Sequence, residues 1–260
     1  MKVLAMNNHC SRIIGVLKSV FAISSIIRWI NQLVRFISRI SHKAQYLIDW
    51  SANTPENFDH QIDLNWQWHA KRSSFPFERG VFSNLAISNG SDILDLCCGD
   101  GFNSYYFYSQ RAKSVTAIDF DQFAIKWAKR NYKTTNLKFE VCDIRTSIPD
   151  GPFHNVVWDA AVEHFTENEI TNIMSRIKQV LTPNGVLSGH TITEAPDGGK
   201  HLHQHEYEFH DKADLARFLS PHFKNIHVFE TVFPERTNLY FYATDGELPT
   251  DTDAHLFIRV

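Results

Sequence analysis

Ile93-Leu94-Asp95-Leu96-Cys97-Cys98-Gly99-Asp100-Gly101 is a short apolar run, an acid, and then a turn of mostly small residues. A buried parallel strand has this pattern where it delivers backbone to a ligand in a doubly wound α/β sheet. Glycine in the turn lets main chain come closer to that ligand than a side chain would permit. Downstream of Asp92 the pattern keeps alternating. Strands are expected at 92–97, 114–119, 137–141, 155–158 and 186–191, with helices at 102–111, 121–131 and 166–180. Thr182-Pro183-Asn184-Gly185 reads as the stop of the last helix. A polar, His-rich loop follows, then a helix at 211–220 and strands at 226–232 and 238–244. Only Phe233-Pro234-Glu235-Arg236-Thr237 separates the last two strands, which suits a hairpin. The expectation is a Rossmann-like, doubly wound, seven-stranded and mostly parallel α/β sheet with an antiparallel last strand.

Upstream of this core two segments differ in kind. Residues 1–50 form a basic leader: Lys2, Arg12, Lys18, Arg28, Arg35, Arg39 and Lys43 occur before the first acid, Asp49. Ile13, Val16, Val20, Ile23, Ile27, Ile30, Val34 and Ile37 recur at spacings of three and four, one face of a helix. A helix over 11–49 would be about 60 Å long. Charges interrupt it too often for a membrane span. Contact with an anionic membrane surface, packing on the body or on another protein, and a cleaved organelle presequence all fit the pattern. Residues 51–90 carry Trp50's neighbours Phe58, Trp66, Trp68, Phe75, Phe77 and Phe82 and read as an aromatic helical cap. Residues 91–260 are the expected catalytic domain.

Composition narrows the partners. The chain is 43% hydrophobic, with 20 Phe, enough to bury a large core. The net charge of −3 conceals an acidic body behind a basic leader. An acidic body does not attract phosphate backbones, so no nucleic-acid partner is expected. The 4 cysteines have no CxxC or zinc-ligand spacing, and free thiols suit a reducing, cytoplasmic setting.

The ligand follows from charge. Asp95, Asp119 with Asp121, Asp143 and Asp159 stand at or just past the ends of the first four strands. In an open α/β sheet those ends line one crevice. A pyrophosphate there would be repelled by Asp95 and Asp100, whereas a cation carrying ribose hydroxyls would be welcome. The Gly-x-Gly-x-x-Gly dinucleotide pattern also fails at Ser104. S-adenosylmethionine, with its ammonium, sulfonium and ribose diol, matches the acids.

With these motifs in order, the sequence resembles the class I S-adenosylmethionine-dependent methyltransferases, in particular the broad group that includes ubiquinone and menaquinone biosynthesis enzymes. The resemblance covers about 90–190 and rests on Ile93–Gly101, Val115–Asp119, Phe139–Ile144, Phe153–Phe165 and Leu181–Gly185. It implies that Asp95, Cys97, Gly99 and Gly101 hold the methionine end and that Asp119 accepts both ribose hydroxyls. It places Phe120, Asp143 and the Ile144 backbone around adenine, and Trp158 and Asp159 beside the reactive methyl. Cys97 stands where the first glycine is usual, and a shifted turn is expected there. Asn184 departs from the usual Pro-Gly-Gly.

Transfer of the methyl to oxygen of a small-molecule or lipid-linked acceptor is the expected activity, the leader motivating the lipid variant. A non-catalytic S-adenosylmethionine-binding or scaffolding protein is the alternative. His164, His190, His203, His205 and Glu206 are the candidate bases for an acceptor hydroxyl, with His164 and His190 foremost. His201, His203 and His205 alternate, so an extended segment would give them one face. No matched carboxylate pair accompanies them, and Thr191-Ile192-Thr193 offers none after the fifth strand. No metal is therefore expected.

Overall fold

A computed structural model of the chain describes residues 23–41, 44, 73–195 and 198–249. The expectations for Trp66, Trp68, Cys10 and most of the leader fall outside them.

Residues 23–41 form a helix, α1, within the compact unit Met1–Ala52. Ile23, Ile27, Ile30, Val34 and Ile37 are all exposed on it, as are Trp29 and Phe36. Arg28, Arg35 and Arg39, spaced by seven and four, share the opposite face. Among the described residues no helix is long and apolar enough to cross a membrane.

The second unit, Asn53–Val260, is built on seven strands in the order β3-β2-β1-β4-β5-β7-β6. These are β1 (Asp92–Leu96), β2 (Ser114–Asp119), β3 (Leu137–Val141), β4 (Phe153–Asp159), β5 (Leu181–Ile192), β6 (Asn225–Phe233) and β7 (Arg236–Thr244). The first five pair in parallel, and β7 runs antiparallel to both β5 and β6. β1 pairs β2 on one side and β4 on the other, so the strand order reverses between β1 and β4. That reversal opens a crevice beyond the strand ends.

Alternation along the central strands feeds two cores. Leu94, Leu96, Ile118, Val156 and Trp158 belong to one cluster, closed by Ile170, Ile173, Met174 and Ile177 of α5 (Glu167–Val180) and by α6 (Lys212–Leu219). Ile93, Val115, Ala117 and Val157 belong to the other, with Ile125 and Ala128 of α4 (Gln122–Asn131) and Phe102 of α3 (Phe102–Tyr106). Burial at i, i+3, i+4 and i+7 is why 167–180 is helical. Thr166 caps it, its hydroxyl meeting the Glu169 N–H while the Glu169 carboxylate returns to the Thr166 N–H at 2.9 Å. Helix α2 (Phe75–Leu85) begins with Pro76 in its first turn and buries Arg79, Gly80 and Ser83.

Two expected boundaries move. The helix expected over 102–111 stops at Tyr106 and tightens into a 3-10 turn at Tyr108–Gln110. The run Tyr105-Tyr106-Phe107-Tyr108 has weak helix propensity, and Tyr108 is drawn wholly into the core. β5 starts at Leu181 rather than 186, its pairing with β4 jumping from Phe153↔Leu181 to Asn155↔Val186. The Pro-Asn-Gly segment is thus an irregularity inside a strand, not a turn before one.

Candidate donor and acceptor sites

The acids of the rim come together because parallel register keeps side-by-side residues on one face. Asp95 pairs with Ala117 and Val157, two residues before Asp119 and Asp159. All three carboxylates therefore stand on the same sheet face, at the carboxyl ends of the strands flanking the switch point. Each is buried: Asp95 3% exposed, Asp119 6% and Asp159 6%.

Their partners differ. Asp95 accepts from Ser104 Oγ at 2.5 Å, yet burial pushes its pKa up to about 8. Ser104, the residue that broke the dinucleotide pattern, is thus a support for the first acid. Asp159 accepts from Ser83 Oγ of α2 at 2.9 Å and from the Tyr108 hydroxyl. Burial raises it to about 6. Asp119 takes Gly99 N–H at 2.9 Å and Asp121 N–H at 2.8 Å, one on each oxygen. It thereby ties the β1 turn to the end of β2, with Cys98 N–H bonded to Ile118 O at 2.9 Å.

The turn itself is strained where the sequence departs from glycine. Cys97 has φ +56°, the left-handed conformation that glycine adopts without strain. An L-residue held there costs about 1–2 kcal/mol. Gly101, at φ +80°, is strained by any substitution, because a Cβ would lie 2.5 Å from the Phe139 ring, which would have to shift. Ala160, just past Asp159, also has positive φ, +50°, and its N–H meets His190 O at 2.8 Å. Strain of this kind concentrates where backbone is shaped for a ligand.

At the far end of the rim Asp143 is half-buried and gripped bidentately by Arg145, at 2.8 Å and 2.9 Å, which holds its pKa below the usual carboxylate range. Phe120 is exposed, with the Arg145 guanidinium 6.0 Å from its ring centre. The Ile144 side chain is core, and its carbonyl accepts from Arg176 at 2.8 Å.

Two expectations need correction here. Trp158 is fully buried, edge-on to Phe165 at 5.6 Å, in the cluster on the other face from Asp159. Adjacent strand residues point oppositely, so its indole does not wall the crevice. His190 is on the Asp159 face but sealed, stacked on Phe75 of α2 at 5.6 Å and tilted against Tyr240 at 5.0 Å. Burial pushes its pKa well below that of ordinary imidazole. A closed, neutral ring does not meet an acceptor hydroxyl, so His164 alone of the two reaches the rim.

His164 is half-buried and meets a group not anticipated from sequence. Segment 198–210 is turned rather than extended, so His201, His203 and His205 do not share a face: His203 is exposed and His205 is 4% exposed. His205 packs edge-on to His164, ring centres 4.9 Å apart. Glu163, 4% exposed, completes the group, with one ligand atom from each residue within 4.8 Å of the others. The loop is docked by backbone, Glu206 and Tyr207 N–H both reaching Glu163 O at 2.8 and 3.1 Å. Glu163 is also close enough to Asp159 to raise its pKa, so this cluster adjoins the acidic rim. Also missed were Arg79, Ser83 and Tyr108, whose roles depend on how α2 and the 3-10 turn pack.

Comparison with known proteins agrees with this geometry. Residues 93–185 match the family model described as "Methyltransferase domain". An uncharacterized methyltransferase of Synechocystis sp. is 31% identical over 114 residues, 43% of this chain and 52% of the relative. A tRNA U34 carboxymethyltransferase of Haemophilus influenzae is 33% identical over 81 residues, 31% of this chain and 23% of the relative. The chain thus spans about half the length, or less, of these curated relatives. Among solved structures the DhpI–SAH complex superposes with a TM-score of 0.54 at 20% identity, over 80% of this chain and 96% of that one. Residues 93–185 thus match a methyltransferase domain, and the solved structure shares the fold.

Proposed function

We propose that the protein transfers the methyl group of S-adenosylmethionine to oxygen of a small-molecule or lipid-linked acceptor. The observation that carries this reading is the row of Asp95, Asp119 and Asp159, three buried carboxylates on one sheet face around the switch point. Burial raises Asp95 to about 8, so it rests protonated near neutral pH, and a bound cation would draw out its ionised form. When bound, S-adenosylmethionine supplies an electrophilic methyl on a cationic sulfur, and its departure leaves a neutral thioether.

The residues divide the work. Asp95 and the turn through Cys97, Gly99 and Gly101 would hold the methionine end, the strained turn presenting backbone closely. Asp119, fixed at the end of β2 by the Gly99 and Asp121 N–H groups, would take the ribose hydroxyls. Phe120 and Asp143 would face adenine, with Asp143 oriented by Arg145. Proton removal from the acceptor falls to the Glu163–His164–His205 cluster. The acceptor class rests on this chain's own residues. The exposed apolar face of α1 favours a lipid-linked one.

Incubation of the full chain with S-adenosylmethionine and cell lipid and metabolite extracts tests the reading. Formation of S-adenosylhomocysteine together with a methyl ether or ester is expected. Tight donor binding with no turnover on any extract would instead favour the scaffolding alternative. Flotation of the full chain with anionic liposomes tests the lipid variant, and failure to float would remove it.

A further inference from the structure

We propose that Glu163, His164 and His205 form a binding site for one divalent transition-metal ion, of the zinc or cobalt type, beside the methyl-transfer crevice. Two histidines and one carboxylate suit such ions, whereas magnesium or calcium would ask for an oxygen-rich set. The three ligand atoms lie within 4.8 Å of one another. Around a single ion of this size they would stand about 3.5 Å apart, so small side-chain rotations close the site.

The surroundings are those a metal site requires. His205 Nδ1 is engaged by the buried Glu208 carboxylate. A carboxylate accepts, so Nδ1 donates to it, the kind of outer contact that orients a ligating imidazole. His164 Nδ1 likewise faces a pure acceptor, Gln204 O at 3.4 Å. Glu208 is fixed in turn by His201 N–H at 2.7 Å. Among the described residues, Thr191 Oγ1 at 3.0 Å is the one hydrogen-bond donor to the Glu163 carboxylate. An ionised carboxylate has about four acceptor sites, so most of its capacity in this 4%-exposed position is unmet. An acid and two imidazoles oriented by outer partners is more than a surface histidine cluster. It resembles the carboxylate–histidine–metal relay in which outer partners set the ligating tautomer.

The role follows from position and rests on the oxygen-methylation reading above. An ion held there would polarise the acceptor hydroxyl and lower its pKa, so that its proton leaves to solvent and the oxygen attacks the methyl. His164 then acts as a ligand and not as a free base.

The test uses the chelator-stripped full chain, dialysed against Zn²⁺ and separately against Co²⁺, with metal content and cobalt absorption read without any methyl donor. About one ion per chain and cobalt ligand-field bands are expected. Glu163→Gln and His164→Gln should each weaken Zn²⁺ binding at least about 100-fold, and Glu208→Gln about 10–100-fold. His203→Asn, exposed and outside the cluster, should leave it unchanged. His164 is half-buried, so its variant keeps its fold, and the thermal midpoint checks this: Zn²⁺ should raise it in the parent but not in the variant. No uptake by the parent, or uptake equal in His164→Gln and parent, overturns the site. S-adenosylmethionine titration of the same samples separates the two claims. Metal binding without donor binding would defeat the methyl-transfer reading and leave the metal site standing.

Discussion

The acidic rim proposed for the donor and the cluster proposed for the acceptor meet just past β4, where Glu163 follows Asp159 by four residues, yet they are assembled in opposite ways. On the rim each acid sits at a strand end, and parallel register alone brings Asp95, Asp119 and Asp159 to one face. In the cluster, Glu163 and His164 are local, but His205 arrives about forty residues later on a turned loop docked through Glu206 and Tyr207. The rim is set by the sheet and tolerates little; the cluster is set by a loop and can vary. This is the division expected when one scaffold binds a fixed donor and its loops choose the acceptor.

The sharpest separation comes from Asp95→Asn. It keeps an acceptor for Ser104 but abolishes the charge, so S-adenosylmethionine affinity should fall about 100-fold, roughly 2.7 kcal/mol. Zn²⁺ uptake should be unchanged in calorimetry on the same variant. The same carboxyl sets a pH dependence. A folded pKa of about 8 lies above the usual value, so the folded chain binds the extra proton between about pH 4 and 8. Stability from this group is therefore greatest at low pH and declines as pH rises through 8. Asp95→Asn should flatten that decline in urea midpoints taken from pH 6 to 9. Donor binding has the opposite sign. A cation favours ionised Asp95, so affinity should rise by up to about tenfold per pH unit below 8, with proton release visible as a buffer-dependent binding enthalpy.

Next in size is Gly101→Val. The Cβ meets the Phe139 ring, and positive φ is forbidding to a β-branched residue, so urea unfolding should show a loss of about 2–3 kcal/mol. Smallest is Cys97→Gly, which relieves the left-handed strain and should stabilise by about 1 kcal/mol, partly offset by added unfolded-state entropy. Were Cys97→Gly instead destabilising, the packing of the half-buried cysteine against the core would outweigh the strain.

How far the sequence was legible follows the same division. Strands β1, β2 and β3 are recovered to within a residue, because their apolar runs end in an acid or a turn that is itself local. The acids of the rim are legible for that reason. Trp158 was misplaced because its neighbour Asp159 suggested the crevice, while period-two alternation sends the two side chains to different faces. His190 was ambiguous until α2 laid Phe75 over it. Taking the His-rich segment as extended grouped His205 with His201 and His203 rather than with Glu163 and His164, since a turned loop erases that alternation. The single signal for the cluster was adjacency of Glu163 and His164 just past a strand end. Nothing in the intervening stretch announces which histidine returns to them.

The most direct measurement is isothermal titration of S-adenosylmethionine into the full chain and into Asp119→Ala. The Asp119 carboxylate organises the β1 turn through Gly99 N–H and is the ribose acceptor in this account. Its removal should weaken binding at least about 100-fold with the chain still folded. Equal affinities for the two proteins would contradict a donor site on the acidic rim.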